Sequence, residues 1–460
     1  MQNKDEALGT QPIGKLMLSL ALPAVAAQFI NMLYNIVDRI YIGNIPGTGA
    51  LALTGVGVTF PIILLVSAFA AFAGMGGAPL ASIQLGAGNR EGAEKILGNC
   101  FSMLLVLSVT LTVIFSIFKT PLLYMFGASD AIIGYAEDYI SIYLAGTIFV
   151  QLALGLNTFI SAQGHATVAM LSVLIGAVIN IVLDPVFIFV FGMGVSGAAL
   201  ATAISQCISF GILFFQSLLR KDCVHLKPGK ITLSLSLYGE ILHGGIPSLC
   251  RQGVASIATA ALNLAANPFG DAAIAALSIV SRYMMFIGSA MIGFGQGFQP
   301  VCGFNFGAKR YDRVLESFWF CVKVSAVFLM TLAVVSFIGA PQIMRVFRKE
   351  DLDVIEIGTW AMRFQCLTLP LSAWIVMSNM LTQTIGYGFR ASFVAAGRQG
   401  LFLIPALFVL PVRFGIRGLQ WCQPVADALT FVLGAVIVLG ILKELKGKAV
   451  EADKEPRNVA

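Results

Sequence analysis

The sequence predicts an all-α integral membrane protein: twelve transmembrane helices in two six-helix lobes, related as parallel repeats by a pseudo-two-fold axis. Three observations predict it. Of 460 residues, 58% are hydrophobic and only 11% charged, and the mean hydropathy of +0.87 lies far outside soluble globular composition. Apolar runs long enough to cross about 30 Å of hydrocarbon, roughly 20 residues each as helix, recur along nearly the whole chain. The chain also matches itself when slid by 221 positions. Runs such as Met103 to Ile117 lack the strict alternation of a transmembrane barrel strand, so the runs are read as helices.

The first run, 15–37, follows a start containing Asp5 and Glu6; it is too long for a signal peptide, lacks a small-residue cleavage pattern, and is expected to stay as the first membrane helix. The second, 50–74, leads into Gly74, Gly76, Gly77 and Pro79, residues that loosen or bend a helix or let helices pack closely. The third and fourth are 93–118 and 132–155. The fifth, 166–191, holds Asn180, Asp184 and Pro185, and the sixth is 194–217. A polar linker, 218–239, with Arg220, Lys221, Asp222, Lys227, Pro228 and Lys230, separates the first lobe (1–217) from the second (240–442). The second lobe comprises 240–266, 271–299, 315–340, 354–380, 391–412 and 416–442, with Gly293, Gly295, Gly297 and Pro300 copying the glycine-rich end of the second run; a tail, 443–460, follows.

The formal charge of +6 reports topology rather than a nucleic-acid partner, because the positives cluster in alternate loops. Lys4, Arg90, Lys95, Arg220, Lys221, Lys309, Arg310, Arg313, Lys443 and Lys446 lie on one side, whereas the other side's loops hold Lys119, Arg345, Arg348, Lys349, Arg413 and Arg417. This bias of about three to one places both termini in the cytoplasm. The eight cysteines form no close pair, and His165, His225 and His243 are dispersed, so neither a disulfide framework nor a metal site is expected.

At the 221 shift Gly49 falls on Gly270, Gly74 on Gly295, Pro79 on Pro300, Gly86 on Gly307, Phe126 on Phe347, Asp130 on Asp351 and Gly194 on Gly415. Six spans per copy is an even number, so the copies share one orientation and face each other across a central cleft, as in carriers that rock between access states. The copies differ where it matters chemically. Asp38 meets Thr259, Asn180 meets Leu401 and Asp184 meets Pro405, so any cation site belongs to the first lobe.

Asn31, Asn35 and Asp38, spaced i, i+4, i+7, share one face of the first helix, flanked by Tyr34 and Tyr41. Asn180 and Asp184 are again i, i+4, and Pro185 deprives the Ile181 carbonyl of its helical partner. An acid at that depth costs about 2.5–3.5 kcal/mol on insertion scales, so it faces a partner, an ion or water. Thr202 in the sixth helix completes a set of hard oxygens that suits an alkali cation and equally a proton. The competing account pairs Asp38 with Arg39 and has Asp184 cap a kink. Met75, Met291 and Gln296, with Gln299, Phe60 and Phe298, would supply an adaptable lining. In the second lobe Arg251, Arg282, Lys323 and Arg363 lie in or near apolar segments, and Asp427 would neutralise one of them.

At these residues the chain resembles the multidrug and toxic compound extrusion (MATE) family, over roughly residues 12 to 445. The carrying segments are Pro23 with Tyr34 to Gly43, Ala52 to Pro61, Gln84 to Gly88, Asn180 to Pro185, and Gly197 to Thr202. The resemblance implies a twelve-helix antiporter that expels organic, often cationic, compounds in exchange for inward sodium ions or protons, with no other cofactor. It maps the cation ligands onto Asp38, Asn180, Asp184 and Thr202, and further polar cavity positions onto Tyr139 and Asn157. The acid that several branches carry on the seventh helix has no match here beyond Glu240 at its mouth, which resembles the bacterial multidrug branch. The expected partners are small-molecule drugs or toxic organic cations and the lipid bilayer, without nucleic acid; the expected location is a bacterial inner membrane, and the expected working unit a monomer. Three rivals stand beside this reading: a lipid-linked precursor flippase of related fold, whose cavity needs more cations than Arg251 and Arg282; a membrane-embedded enzyme, for which no catalytic cluster is present; and a passive channel, which the paired lobes disfavour.

Overall fold

The computed structural model describes residues 4–220, 223–232, 234–348 and 351–454; Lys221 and Asp222 of the linker, Lys349 of an opposite-side loop and 455–460 of the tail lie outside them. A short helix α1 (Lys4–Thr10), not anticipated from the sequence, precedes α2 (Ile13–Gly43), α3 (Gly49–Gly86) and α4 (Arg90–Met125). The first half continues with the pair α5 (Ile133–Ala145) and α6 (Thr147–Ala162), α7 (Ala166–Pro185) running into a π-turn at Val186–Val190, and α8 (Val195–Leu219). The second half repeats the order with α9 (Leu235–Ala266), α10 (Asp271–Gly307), α11 (Tyr311–Phe347), the pair α12 (Leu352–Thr368) and α13 (Leu371–Thr384), α14 (Gly388–Ala396) with a π-turn at Gly397–Leu401, and α15 (Leu403–Lys454).

Among the described residues, eight helical segments are long and apolar enough to cross a membrane, and two bent pairs each supply one more. The 65-residue run Gly388–Ala452 is broken at Gly415 (φ 59, ψ −144) into two crossings. With α9, 32 residues long and about 48 Å in extent, the layout reaches the expected twelve. Packing on α4 shows why these helices need lipid. Leu97, Cys100, Leu104, Ser108, Leu111 and Phe115 are buried at helical spacing, while the opposite face exposes Val106, Val109, Val113 and Ile117. A helix apolar on both faces is stable only where its outer face meets hydrocarbon.

Backbone detail repeats between the halves. Gly194 (φ 57, ψ −132) and Gly415 adopt the same left-handed conformation at the 221 shift, a region L side chains avoid. At the α6–α7 corner the correspondence slips to 222: Asn157 Nδ2 donates to the Ala169 carbonyl at 2.9 Å, and Asn379 Nδ2 to the Ala391 carbonyl at 2.8 Å. The single shift read from sequence is therefore corrected there. Either register sets Asp184 against an uncharged residue, Pro405 or Ala406. The spans 132–155 and 354–380, read as single helices, are each bent by 56°. At the first bend a Cβ on Gly146 would lie 2.7 Å from the Ala203 Cβ, so α8 packs into the break; at the second, Pro370 stands between the helices.

The halves meet tightly at the end where α2 begins and α3 ends. A Cβ on Gly86 would lie 1.9 Å from the Phe304 carbonyl oxygen, and one on Gly307 would lie 1.9 Å from that of Ile83, a symmetric exchange of close backbone approaches. Gly76 against Ile241, Gly245 against Phe72, Gly297 against Ala21 and Gly293 against Val25 extend the same seam. Ser82 Oγ donates across it to the Pro300 carbonyl at 3.1 Å. The end of α1 and the residue after it are fastened here to the second half: Asn305, Arg310 and Arg313 donate to the carbonyls of Leu8, Gly9 and Gln11 at 3.1, 2.5 and 2.7 Å. Toward the other end polar residues on both halves are exposed, Asn35 and Arg39 on α2 and Ser256, Thr259 and Asn263 on α9, and a cleft between the halves is bordered by Gln28 and Asn31 on α2 and by Arg251 and Gln252 on α9.

If the glycine seam holds that end shut, Gly307→Ala lowers stability by about 1–3 kcal/mol through overpacking, whereas Gly134→Ala, with nothing within 4 Å of its added Cβ, is neutral. Thermal unfolding of the detergent-purified variants, read by size-exclusion fluorescence, checks the difference.

Candidate functional site

The cleft contains a cavity of about 490 Å³, a size that fits drug-like ligands. Its wall is drawn mainly from the first half. On α2 the lining residues Gln28, Asn31, Asn35 and Asp38 follow helical spacing, so one polar stripe faces the hollow along about three turns. The sequence stripe stopped at Asn31; Gln28 extends it at the same spacing, a signal present but not used. Gln206, one turn after Thr202 on α8, is a second such residue.

Tyr34, Tyr139, Asn157, Met75 and Gln296 also line the cavity, as does Phe60. Met291 does not. It is buried in the second-half core, as is Phe298, because that face of α10 turns away from the seam glycines Gly293 and Gly297 and into its own lobe. Gln296 accepts from Gln28 Nε2 at 3.0 Å and so joins α10 to α2 across the halves.

Asp38, Asn180 and Thr202 line the cavity, and Asp184 lies behind them, one helical turn from Asn180. Asp38, Asn180, Asp184 and Thr202 are all buried. Asn180 Nδ2 donates to Asp184 Oδ1 at 3.3 Å and reaches Thr202 Oγ1 at 3.4 Å. The Asp38 and Asp184 carboxyls lie near enough to repel one another electrostatically. Three oxygens in this cluster have no hydrogen-bond partner: Asp38 Oδ1, Asn180 Oδ1 and Asp184 Oδ2. Buried carboxylate and amide oxygens without donors are costly to keep charged and unpaired. Hard oxygens alone suit an alkali cation or a proton rather than a transition metal, and no His/Cys/Asp/Glu group with metal-site geometry exists among the described residues.

Arg39 is not the counter-ion of Asp38 in an ion pair; its guanidinium lies 5.5 Å from the centroid of the Phe60 ring at the mouth. Pro185 is followed by a π-turn, which widens the helix beside Asp184. In the second half Asp427 neutralises none of the four cations considered from sequence. It accepts from Arg398 Nε at 2.7 Å and Gln423 Nε2 at 2.9 Å. Arg363 rests over Phe337 and Trp360, Arg282 and Lys323 are exposed, and of the four only Arg251 lines the cavity.

A family model described as MatE matches the chain twice, over residues 23–186 and 247–409, one match in each half. The chain is 28% identical over 450 residues to the multidrug export protein MepA of Staphylococcus haemolyticus, covering 96% of this chain and 97% of that one. It is 27% identical over 458 residues to the protein of the same name from Staphylococcus aureus strain MSSA476, with the same coverages. Among solved structures it resembles a MATE in the bent conformation, with a TM-score of 0.91 at 24% identity over 98% of this chain and 100% of that one. It also resembles an outward-facing multidrug resistance MATE family transporter of the MOP superfamily, with a TM-score of 0.88 at 23% identity over 97% and 99%.

The orphaned oxygens give a stability prediction. In cation-free buffer Asp184→Asn, which keeps the shape and removes a charge, raises the melting temperature, and it abolishes the stabilisation that sodium ions or acid give the unaltered protein. That stabilisation is about 2.7 kcal/mol at a hundredfold excess over the dissociation constant. Melting curves of both proteins against sodium concentration and pH provide the check.

Proposed function

The chain belongs to the MatE family, and on that premise we propose that it is a secondary active multidrug exporter that moves organic, often cationic, compounds outward in exchange for an inward sodium ion or proton. The observation that carries the exchange is the cluster of unpartnered oxygens on Asp38, Asn180 and Asp184 beside the cavity. Asp38, Asn180 and Thr202 line the cavity as well, so ion and drug would meet the same wall, which supports exchange of one for the other. The relatives named for multidrug export support the substrate class. A cavity walled by Met75, Tyr34, Tyr139 and several amides offers adaptable contacts and few fixed ones, which suits varied ligands.

With the basic loops and both termini in the cytoplasmic side of a bacterial inner membrane, the glycine seam closes the inner end and the cleft faces outward. In this state drug leaves and the ion enters. Ion binding removes the mutual repulsion of Asp38 and Asp184 and so lets the first-half helices repack, which favours the return. One elementary charge crossing about 100 mV inward supplies roughly 2.3 kcal/mol, about a 50-fold accumulation ratio if drug movement is neutral. One chain encloses the whole cavity, which supports a monomer as the working unit.

Ethidium efflux from vesicles, driven separately by a sodium and a proton gradient, distinguishes the two ions. The unaltered chain responds to one of the gradients, and Asp184→Asn loses at least about 90% of that response, as removal of an essential charge entails. Gradient-driven efflux that survives the substitution rejects the role assigned to Asp184.

A further inference from the structure

We propose that the cavity has a second recognition pole: Arg251, on the second-half wall, binds a carboxylate of the ligand, so that molecules carrying both a cationic and an acidic group are recognised at two ends. The proposal takes from the export reading only the idea that this cavity holds ligand; the binding chemistry stands by itself. A guanidinium presents five N–H donors in a planar fork. Here the Arg251 contacts are two long ones, Nη1 to Asn379 Oδ1 at 3.4 Å and Nη2 to Met75 Sδ at 3.7 Å, neither of them to an anion. Among the described residues no carboxylate forms an ion pair with it.

The same lobe shows how this chain settles an arginine that only holds structure. Arg398 donates to Asp427 at 2.7 Å, and Arg363 stacks on two rings. Arg251 has neither arrangement and borders the hollow instead. A cation at membrane depth without a counter-ion is costly unless it faces water or an incoming anion, and bidentate carboxylate recognition is what its remaining donors fit. The other charged lining residues are Asp38, on the opposite half, and Arg39, placed over Phe60 at the mouth. The cavity thus carries an acid on one wall and a base on the other, with the amides of Gln28 and Gln296 between the halves.

The test uses purified full-length protein without any ion gradient, so it is independent of whether transport is coupled as proposed. Binding of tetramethylrhodamine, which carries a carboxylate, and of its methyl ester, which does not, is measured by fluorescence polarisation. The unaltered protein is expected to favour the acid over the ester by about tenfold, the scale of one charge-assisted hydrogen-bonded pair. Arg251→Gln should bring that ratio close to one, and Arg251→Lys should keep most of it. A ratio unchanged by Arg251→Gln overturns the proposal, whatever happens to overall affinity. Should the glutamine variant fail to fold, the unaltered protein still decides: a preference for the ester, or none, overturns the proposal, and a preference for the acid that raised salt abolishes supports it.

Discussion

Two carboxylates held against each other away from water constrain everything else in this molecule. Asp38 and Asp184 come from different helices, α2 and α7, and each leaves an oxygen without a donor. Bringing them together without a positive ion costs several kcal/mol per charge, so the packing of α2 on α7 is tied to what occupies the space between them. The core shows the consequence. One large apolar cluster takes in most of the second half together with Leu8, Leu16, Met17 and Leu20 at the start of the first, whereas the remaining buried apolar residues of the first half fall into separate groups, one around Ile42, Ala52 and Tyr143 and another around Ala81, Leu97 and Phe159. The polar cavity and the carboxylate cluster lie on the first-half helices between those groups.

The scaffold is symmetric and the chemistry is not. Gly86 and Gly307 exchange contacts across the seam, Gly194 and Gly415 share one backbone conformation, and Asn157 and Asn379 make the same corner bond. Duplication supplied a hinge with matched halves. Polar side chains then differ between the copies: acids in α2 and α7, and on the second-half wall Arg251. A rocking motion needs the first property and ion coupling the second.

Much of this was legible in the residues. The self-match locates the halves, and the lack of acidic counterparts to Asp38 and Asp184 points to the first half for the polar site from the residues alone. Periodicity put Asn31, Asn35 and Asp38 on one face, and they share the cavity wall. The bends at α5–α6 and α12–α13 were not legible, because the chain uses Gly146 at one and Pro370 at the other, while Pro23, Pro61, Pro79 and Pro300 sit inside helices that continue. At Gly146 the helix breaks where Ala203 of α8 packs into it, so residue type alone does not mark the break. Met291 was misplaced for a related reason: a methionine suits a cavity or a core equally, and only the direction of α10 decides. Asp427 was expected to neutralise Arg251, Arg282, Lys323 or Arg363 and pairs instead with Arg398, 29 residues earlier in the π-turn before α15, with which it shares no periodic signal.

The central claim is that the charge on the Asp38–Asp184 cluster sets whether the two halves stand apart at the open end. It is tested most directly by pulsed electron spin distance measurements between labels at Leu51 and Leu264, exposed positions on opposite halves near that end, in a background with the native cysteines replaced. The account predicts that sodium ions or protons shift the distance distribution of the otherwise unaltered protein and leave that of Asp184→Asn fixed in one state. An ion-dependent shift of equal size in both proteins would contradict it.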